Sequence, residues 1–382
     1  MKIGNVLVEF KLSPVENHEY EILTLTEKNG FIRQVDRFKK RLATEDISKY
    51  KVVERNTIAF NPYLLWAGAL ALNDNFDGGI VSPLYPTFRV KEDVDAEYLL
   101  AVLLSPQMIQ QFDQISYGSV PRKRRSSVKD FLNLQLPELP SLGEQKRIAE
   151  ILGGVSKAIQ KTKVQLLLVD SLGENKYLSL SKDADTFKSL KDLGVKKITG
   201  KSIVAKPDNE HGINQIIKVS AVSSGRFIAS ETKPLPADYE PNNLHEIHQG
   251  DLLFARASGS ANLLGACCIV DKEIQHLYLP DKVWKLEVDE DILPKVYLLQ
   301  ALRGREFRSV AESHFSSSTG VKNIKTSVLM EFKIPVLKKD QLNDYAHFVK
   351  TLDNLRHLLH RKLSLLQELQ KSLSNRAFAG LL

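Results

Sequence analysis

Apolar residues recur at alternating steps of three and four in two long stretches of the chain, one near the middle and one at the end. This spacing places the apolar side chains on one narrow face of a helix, as in coiled coils. The pattern therefore predicts two long helices that pack against each other, or else two helices that each pack on a neighbouring globular block. The positions of the predicted seam are Ile148, Leu152, Val155, Ile159, Leu166 and Val169 in the first helix and Leu352, Leu355, Leu359, Leu366, Leu369 and Leu373 in the second.

A block of mixed pattern precedes each predicted helix, and the second block repeats the first. In the first block, β-branched and aromatic runs at 57–60 and 87–90 predict strands, and residues 96–104 predict a helix. The same features recur in the same order, about 195 to 200 residues later, at 251–254, 283–286 and 294–302. The repetition predicts two similar units, each followed by a long helix.

Composition adds a mild preference for a polyanionic partner. The chain has 382 residues, 43% of them apolar, and its 53 Lys and Arg against 46 Asp and Glu give a formal net charge of +7. This length suffices for two or three domains with real cores, and the positive charge favours nucleic acid. The only cysteines, Cys267 and Cys268, are adjacent and offer no disulfide framework. No apolar run is long enough to span a bilayer, so we expect a soluble cytoplasmic protein.

The length of the predicted helices suggests what two units could do together. About 35 residues of helix span roughly 50 Å, whereas one turn of B-DNA is about 34–36 Å long. Two units joined by such a helix would read two stretches of one duplex more than a turn apart.

Several stretches of sequence carry a resemblance to a known family. A Pro-rich segment opens the central helix at 136–149 (LPELPSLGEQKRIA), and a more worn copy lies at 334–341 (IPVLKKDQ). Residues 250–260 (GDLLFARASGS) and 316–324 (SSSTGVKNI) are similar to the family's target-recognition domains. Over essentially its whole length, the chain resembles the specificity subunit of type I restriction–modification systems. The first block departs from the pattern at 55–60 (RNTIAF), which lacks the Gly-Asp pair.

The resemblance implies an α+β fold in which two pseudo-repeated target-recognition domains each read one half of a split DNA site. It implies that the two long helices pack as an antiparallel coiled coil and set the gap between the halves. The expected domains are residues 1–140 (first recognition domain), 141–181 (central spacer helix), 182–336 (second recognition domain) and 337–382 (C-terminal spacer helix).

The resemblance also implies partners. Two copies of a modification subunit would grip the helix pair, and motor–nuclease subunits would join in the full restriction complex. Methyl transfer to adenine, with S-adenosylmethionine as the donor, belongs to the modification subunits. The chain itself is therefore expected to bind no cofactor and to catalyse nothing.

Basic and hydroxyl side chains in corresponding loops of the two blocks are the candidate DNA contacts. Arg and Lys donate to phosphates and guanine edges, and Ser hydroxyls can serve both. A solvated charge run or a plain turn is the alternative interpretation of each loop. The candidates are Ser119, Arg122, Lys123, Arg124 and Arg125 in the first block and Arg256, Ser258, Ser260, Lys322 and Lys325 in the second.

Near-matches to catalytic motifs fail on their spacing. Residues 194–202 have five residues between the glycines, where a phosphate-binding loop needs four. Residues 61–63 (NPY) lack one proline of the adenine methyltransferase tetrapeptide, and the histidine pairs at 245/248 and 357/360 do not have zinc-protease spacing. With no cysteine ligands to spare, we expect no metal site. A coiled-coil scaffold with two globular heads is the main alternative function, and a stand-alone methyltransferase is the third.

Overall fold

A computed structural model of the chain describes residues 1–15, 18–27, 30–37, 47–118, 124–182, 184–203, 211–258, 263–314, 316–318 and 321–378. The chain divides into two units. The first unit comprises Met1–Lys163 and Arg361–Leu382, and the second unit comprises Val164–His360. Both divisions fall inside long helices, so each unit contains part of both helices. Among the described residues, no helix combines the length and apolar character needed to cross a membrane.

Short strands and helices make up the first unit as far as residue 133. Its strands are β1 (Leu7–Phe10), β2 (Leu23–Thr26), β3 (Gly30–Arg33), β4 (Lys51–Glu54), β5 (Thr57–Phe60), β6 (Leu70–Leu72), β7 (Gly78–Val81), β8 (Thr87–Val90), β9 (Ser116–Tyr117) and β10 (Arg125–Ser126). Its helices are α1 (Gln34–Arg37), α2 (Ala96–Leu103), α3 (Pro106–Gln114) and α4 (Val128–Asn133). The first long helix, α5 (Leu142–Lys182), then runs from the first unit into the second.

Four antiparallel strands in the order β1-β8-β5-β6 form the main sheet of the first unit. The inner strand β5 is buried along its whole length. Phe60 of β5 and Phe88 of β8 stack with ring centroids 5.9 Å apart and ring planes 13° apart, and Phe131 of α4 contacts both rings. This aromatic core holds the sheet against α4, shortly before α5 begins.

The second unit contains the same kinds of elements in similar order. Its strands are β11 (Phe187–Ser189), β12 (Lys196–Thr199), β13 (His211–Ile217), β14 (Thr232–Pro236), β15 (Leu252–Ala255), β16 (Ala257–Ser258), β17 (Cys267–Ile269), β18 (Leu277–Tyr278), β19 (Val283–Glu287), β20 (Ser316–Ser318), β21 (Val321–Asn323) and β22 (Lys333–Pro335). Its helices are α6 (Ser220–Ser223), α7 (Lys295–Arg303), α8 (Arg305–His314) and α9 (Thr326–Met330). The second long helix, α10 (Lys339–Phe378), runs back into the first unit.

The main sheet of the second unit matches that of the first. Its four antiparallel strands follow the order β12-β19-β15-β17. Phe254 of β15 and Trp284 of β19 stack with centroids 5.9 Å and planes 13° apart, the same geometry as the phenylalanine pair of the first unit. The predicted α+β fold with two pseudo-repeated units is therefore confirmed.

The two long helices pack antiparallel. In the first unit, the beginning of α5 meets the end of α10, where Gln370 Nε2 donates to Ser156 Oγ at 2.8 Å. In the second unit, the end of α5 meets the beginning of α10, where Tyr345 Oη donates to the carbonyl oxygen of Gly173 at 3.3 Å. Earlier residues of α5 thus pair with later residues of α10, so the two helices run in opposite directions, as the resemblance implies.

Most of the predicted seam residues are buried or half-buried, and Ile148 and Leu152 belong to the hydrophobic core of the first unit. The buried seam residues are Ile148, Leu152, Ile159, Leu166, Val169, Leu352 and Leu359, and the half-buried ones are Val155, Leu366 and Leu373. Thr162, fully buried on α5, belongs to the same face but was absent from the prediction because it is polar. Its hydroxyl donates to the Ala158 carbonyl oxygen at 2.8 Å, which satisfies it inside its own helix.

The seam departs from the prediction at two positions of α10. Leu355 and Leu369 are 42% and 44% exposed. The next residues contact α5 instead: Gln370 binds Ser156, and Arg356 Nε donates to Asp170 Oδ1 at 2.9 Å. A helix has 3.6 residues per turn. Counted from Leu352, the fourth residue along the helix, Arg356, therefore lies closer to the contact face than the third, Leu355.

Candidate nucleic-acid interface

A two-stranded ribbon follows α3 in the first unit. Strand β9 pairs with β10, and the buried hydroxyls of Ser116 and Ser126 hydrogen-bond to each other at 2.7 Å. The backbone N–H of Ser126 donates to the carbonyl oxygen of Pro62 at 2.9 Å, which ties the ribbon to the chain leaving β5. Residues 119–123, which connect β9 to β10 in the sequence, lie outside the described residues, and with them three candidates, Ser119, Arg122 and Lys123.

Arg124 is held by its own unit. Its guanidinium forms an ion pair with Asp113 at 2.6 Å, donates to the Ser116 carbonyl oxygen at 3.1 Å, and lies 5.5 Å from the centroid of the Trp66 ring. A guanidinium with this many internal partners has few donors left for a ligand. The structure therefore gives Arg124 a role in fixing the ribbon, and its contact with DNA stays a prediction.

Arg125, the next residue, is exposed. It lies opposite Tyr117 in the ribbon, and its guanidinium carbon is 5.8 Å from the centroid of the Tyr63 ring. Tyr117 is itself 65% exposed. Within the described residues, Arg125 has no ion-pair partner. The ribbon thus presents an arginine and a tyrosine side by side on its surface.

A three-stranded sheet occupies the corresponding place in the second unit. Its order is β16-β21-β20, with Ser258 opposite Lys322. The N–H of Ile324 donates to the carbonyl oxygen of Arg256 at 2.8 Å, the same tie that Ser126 makes to Pro62 in the first unit. Lys325 follows at the N-terminus of α9 and is exposed. Four candidates are therefore brought together here, while Ser260 and the side chain of Ser258 lie outside the described parts of the chain.

Arg256 lies between the main sheet and this small sheet. Its guanidinium carbon is 5.7 Å from the centroid of the Trp284 ring, and Lys197 Nζ lies 5.0 Å from the same centroid. Arg256 is half-buried, and its buried Nε has no hydrogen-bond partner among the described residues. A charged donor without a hydrogen-bond partner is costly to bury. The Nε–H of Arg256 is therefore suited to donate to an acceptor on a ligand.

The aromatic partners of the arginines were missed by the sequence analysis. Tyr63, Trp66 and Trp284 each lie beneath a guanidinium, but each of these contacts joins residues that are far apart in the sequence. The signal available in the sequence was weak: Tyr63 follows a predicted strand closely, and Trp284 lies within one. Only the fold brings the rings and the cations together.

The cysteines and acidic groups offer no reactive centre in the described parts of the chain. Burial raises the pKa of the Cys267 thiol to about 11 and that of Cys268 to about 12, so both are protonated at neutral pH. No cluster of His, Cys, Asp and Glu side chains that could hold a metal ion occurs among the residues described.

The helix pair exposes a row of large apolar side chains. Val164, Leu168 and Leu172 recur at steps of four on α5, which places them on one face. Their exposed fractions are 53%, 57% and 45%, and Leu167 beside them is 69% exposed. We call these four residues the exposed leucine row. Large apolar side chains grouped on a surface mark interaction sites more often than isolated ones do.

Comparison with known proteins finds relatives with one description. No protein-family model matches the chain. It is 24% identical over 300 residues to the type I restriction enzyme EcoKI specificity subunit of Escherichia coli K12, covering 71% of this chain and 62% of that protein. It is 23% identical over 357 residues to the MjaVIII specificity subunit of Methanocaldococcus jannaschii, covering 87% of this chain and 80% of that protein. A shorter match, 33% identical over 99 residues, joins it to the EcoEI specificity subunit of E. coli, over 26% of this chain and 16% of that protein.

The chain is similar in sequence to type I restriction enzyme specificity subunits. It spans about 62% of the length of the EcoKI subunit. Its fold is also that of a specificity subunit: a crystal structure of the S subunit of a type I restriction–modification system from M. genitalium aligns with a TM-score of 0.62, covering 99% of this chain and 95% of that one at 14% identity. A chain from a structure on complex assembly and conformational transition of a type I system aligns with a TM-score of 0.51, covering 100% and 97% at 15% identity.

The Pro-rich segment that leads into α5 fastens this helix to the first unit. Gln145, 2% exposed at the start of α5, accepts a hydrogen bond from the Asp95 N–H and donates one to the Pro140 carbonyl oxygen, both at 2.9 Å. Asp95 in turn caps α2 by accepting from the Tyr98 N–H at 2.9 Å. In the more worn second copy, Gln341 accepts from the Lys338 N–H at 3.1 Å, a local hydrogen bond three residues away. The glutamine thus fastens the long helix to its recognition unit.

Proposed function

We propose that the chain is the DNA sequence-specificity subunit of a type I restriction–modification complex, a non-catalytic subunit that reads a bipartite site. One observation carries the proposal. Each of the two repeated units presents basic side chains on or beside a small sheet that is hydrogen-bonded to the chain after the corresponding strand of its main sheet, β5 or β15. These side chains are Arg125 in the first unit and Arg256, Lys322 and Lys325 in the second. The homology to specificity subunits supports the same function.

The proposed mechanism separates affinity from specificity. Basic residues such as Lys325, Arg122 and Lys123 neutralise phosphates, and this attraction falls steeply as salt is added. Side chains on the small sheets then read base edges in the major groove, which admits a two-stranded ribbon. The antiparallel helices set the separation between the two readings. We infer that this takes place in the cytoplasm of a prokaryotic cell.

The proposed partners follow from the function. We infer that two modification subunits bind the helix pair, that they hold S-adenosylmethionine and transfer its methyl group to adenine, and that motor–nuclease subunits join them for restriction. The exposed leucine row supports a protein partner on the helices, because covering it would remove large apolar side chains from water. No step of the chemistry is assigned to this chain.

Genome-wide methylation mapping tests the proposal. The full chain is expressed with its cognate modification subunit in a host that lacks adenine methylation, and N6-methyladenine is located by single-molecule sequencing. We expect methylation at one bipartite motif and none when the chain is omitted. Replacing residues 186–335 with the block of a relative should change one half of the motif and leave the other half intact.

Two results would overturn the proposal. The first is the absence of any motif although the chain and the modification subunit co-purify, which would favour a scaffold that joins proteins. The second is a change in both halves of the motif after the swap of a single block. A gel shift with duplex DNA at 50 and 200 mM salt separates the scaffold further, because only a DNA-binding chain gives a salt-dependent shift.

A further inference from the structure

We infer that Arg125 and Arg256 are the guanine-reading side chains of the first and second unit, so that each half of the recognition site contains a G·C pair read by one arginine. This inference rests on the proposed function and assigns the base that each unit recognises. It is carried by three observations: an aromatic ring under each guanidinium, the absence of an ion-pair partner for either arginine among the described residues, and the position of Arg125 on the ribbon and of Arg256 directly before β16.

The ring beneath each arginine favours reading of a base edge over contact with a phosphate. The guanidinium carbon lies 5.8 Å from the Tyr63 centroid in Arg125 and 5.7 Å from the Trp284 centroid in Arg256. A guanidinium is planar and stacks on aromatic faces, so a ring restricts its plane before DNA arrives. Its two parallel N–H donors then match O6 and N7 of guanine, the commonest specific contact in the major groove.

The remaining donors of the two arginines are available for a ligand. Among the described residues, neither guanidinium has an ion-pair partner, and the buried Nε of Arg256 has no acceptor. The other stacked arginines of the first unit differ in this respect. Arg124 is paired with Asp113 at 2.6 Å and Arg89, 4.5 Å from the Phe10 centroid, is paired with Glu54 at 3.1 Å. Stacking alone therefore does not single out Arg125, whereas stacking without an internal counter-charge does.

The two units obtain the same arrangement from different parts of their fold. In the first unit the arginine comes from the ribbon and the ring from the chain after β5. In the second unit the arginine comes from the chain after β15 and the ring from β19. In the first unit, the hydrogen bond from the Ser126 N–H to the Pro62 carbonyl oxygen joins these two segments. In the second unit, the Arg256 N–H donates to the carbonyl oxygen of Lys282, just before β19, at 3.1 Å. The repeated fold thus gives each unit one stacked arginine that has no ion-pair partner among the described residues, although the two arginines come from different elements.

The test combines lysine variants with a modified base. The full chain carries Arg125→Lys or Arg256→Lys, is assembled with its modification subunit, and is titrated with duplexes that contain the mapped site. In these duplexes each guanine in turn is replaced by 7-deazaguanine, which lacks the N7 acceptor. We expect the parent complex to lose affinity by about tenfold or more at one guanine in each half.

Each lysine variant should erase the effect of one replacement. Lysine is a single point donor and cannot make the paired contact. The Arg256→Lys complex should therefore bind the unmodified site about tenfold more weakly, and 7-deazaguanine in the half read by the second unit should cost it little more. Arg125→Lys should do the same for the other half. Arg89→Lys, which alters a stacked but ion-paired arginine, is the matched control and should respond to 7-deazaguanine as the parent does.

The inference is wrong if the lysine variants and the parent respond equally to 7-deazaguanine at every position, or if no guanine of one half matters. Such a result would leave the proposed function intact, because the parent complex would still prefer its mapped site over a scrambled duplex. Loss of that preference in the parent complex itself would overturn the proposed function and the inference with it.

Discussion

Gln145 is a buried amide whose two hydrogen bonds join three segments of the first unit. It accepts from the Asp95 N–H at the start of α2 and donates to the Pro140 carbonyl oxygen ahead of α5. Both backbone partners are partly buried, so neither regains a full water partner if the amide is removed. Unsatisfied buried groups cost more than an average hydrogen bond contributes.

Replacing Gln145 by alanine should therefore destabilise the first unit. We expect the free energy of unfolding to fall by about 2 kcal/mol, since two polar backbone groups lose their partner. Urea unfolding of the purified chain, followed by circular dichroism, measures the change. Gln341→Ala is the matched control from the second copy of the segment. Its half-buried side chain accepts one exposed hydrogen bond, and its loss should cost under about 1 kcal/mol. Equal losses in the two variants would contradict the role given to Gln145.

Arg124 and Arg125 show what sequence can and cannot reveal at this scale. The sequence placed the basic run in a loop, whereas the structure has Arg125 in strand β10 and gives the two arginines different surroundings. Arg124 meets Asp113, eleven residues earlier, while Arg125 meets Tyr63 from the chain after β5. Neighbouring residues of a strand point to opposite faces, so identical side chains acquire different partners. Which one is bound internally depends on tertiary contacts that periodicity does not contain.

At the scale of elements, a charged cluster joins three of them within the second unit. Asp170 of α5 accepts from Arg356 of α10 at 2.9 Å and lies 3.5 Å from Arg226, which follows α6. Arg226 also donates to Nε2 of His360 at 2.7 Å, so this ring nitrogen must carry no proton. Asp353 pairs with Arg356, and His357 adds a further group on α10. The cluster holds the turn after α6 against the helix pair.

This cluster should make the second unit less stable in mild acid. Burial, with the charges of Arg226 and Arg356, lowers the pKa of His360 from its ordinary 6.5. The unfolded chain then binds its proton at a higher pH than the folded chain does. Stability is therefore retained above about pH 6.5 and lost as the pH falls from there toward the folded pKa. Burial also lowers the pKa of His245, and that residue contributes with the same sign.

The variant His360→Gln isolates the contribution of the cluster. A glutamine can still accept from Arg226 but takes up no proton in this range. We expect the difference in urea midpoint between pH 7.5 and pH 5.5 to shrink in this variant compared with the parent chain. His347→Gln, on the same helix outside the cluster, serves as the control and should leave the difference unchanged. An undiminished loss in His360→Gln would show that the cluster does not sense acid.

Two glycines in α5 offer a gain in stability. Gly153 and Gly154 lie inside the helix, and a Cβ at either position would meet no described atom within 4 Å. Alanine there should raise the free energy of unfolding by about 1 kcal/mol each, because glycine loses more backbone freedom on helix formation. Thermal unfolding of the double variant measures this. Gly200→Ala should act in the opposite direction, because its Cβ would collide with the carbonyl oxygen of Leu279. A melting temperature unchanged or lowered in the double variant would contradict the prediction.

The long helices were predictable as elements, but not every contact between them was. Apolar spacing located both helices and most of the seam, because burial of a narrow stripe requires that spacing. It misplaced Leu355 and Leu369, since Arg356 and Gln370 take the inner positions through hydrogen bonds that hydrophobicity does not register. The buried Thr162 was missed for the same reason. Polar residues on a helix interface become visible only with their partners.

At the scale of the whole molecule, the repetition in sequence was the most informative feature. The same strand and helix patterns recur in the same order at a nearly constant offset, and this predicted two units. In the structure, the two main sheets share their strand order and the geometry of one aromatic pair. The recognition-domain bounds 1–140 and 182–336 stay predictions, because the compact units divide inside α5 and α10 instead. A unit defined by contacts includes the turns of α5 and α10 that pack on it. Boundaries drawn from the sequence pattern instead assign those turns to separate spacer helices.

The proposed spacer role predicts that lengthening both helices lengthens the gap in the DNA site. Seven residues inserted between Lys163 and Val164 and seven between His360 and Arg361 add two turns to each helix and preserve the seam. The added length is about 10 Å, which corresponds to about three base-pair steps of roughly 3.4 Å. We expect the methylated motif to keep both halves and to gain one to three base pairs between them. An insertion in α5 alone shifts its seam against that of α10, and this control should abolish methylation rather than yield a longer gap. If the doubly lengthened chain methylated the original motif with its original gap, the helices would not set the spacing.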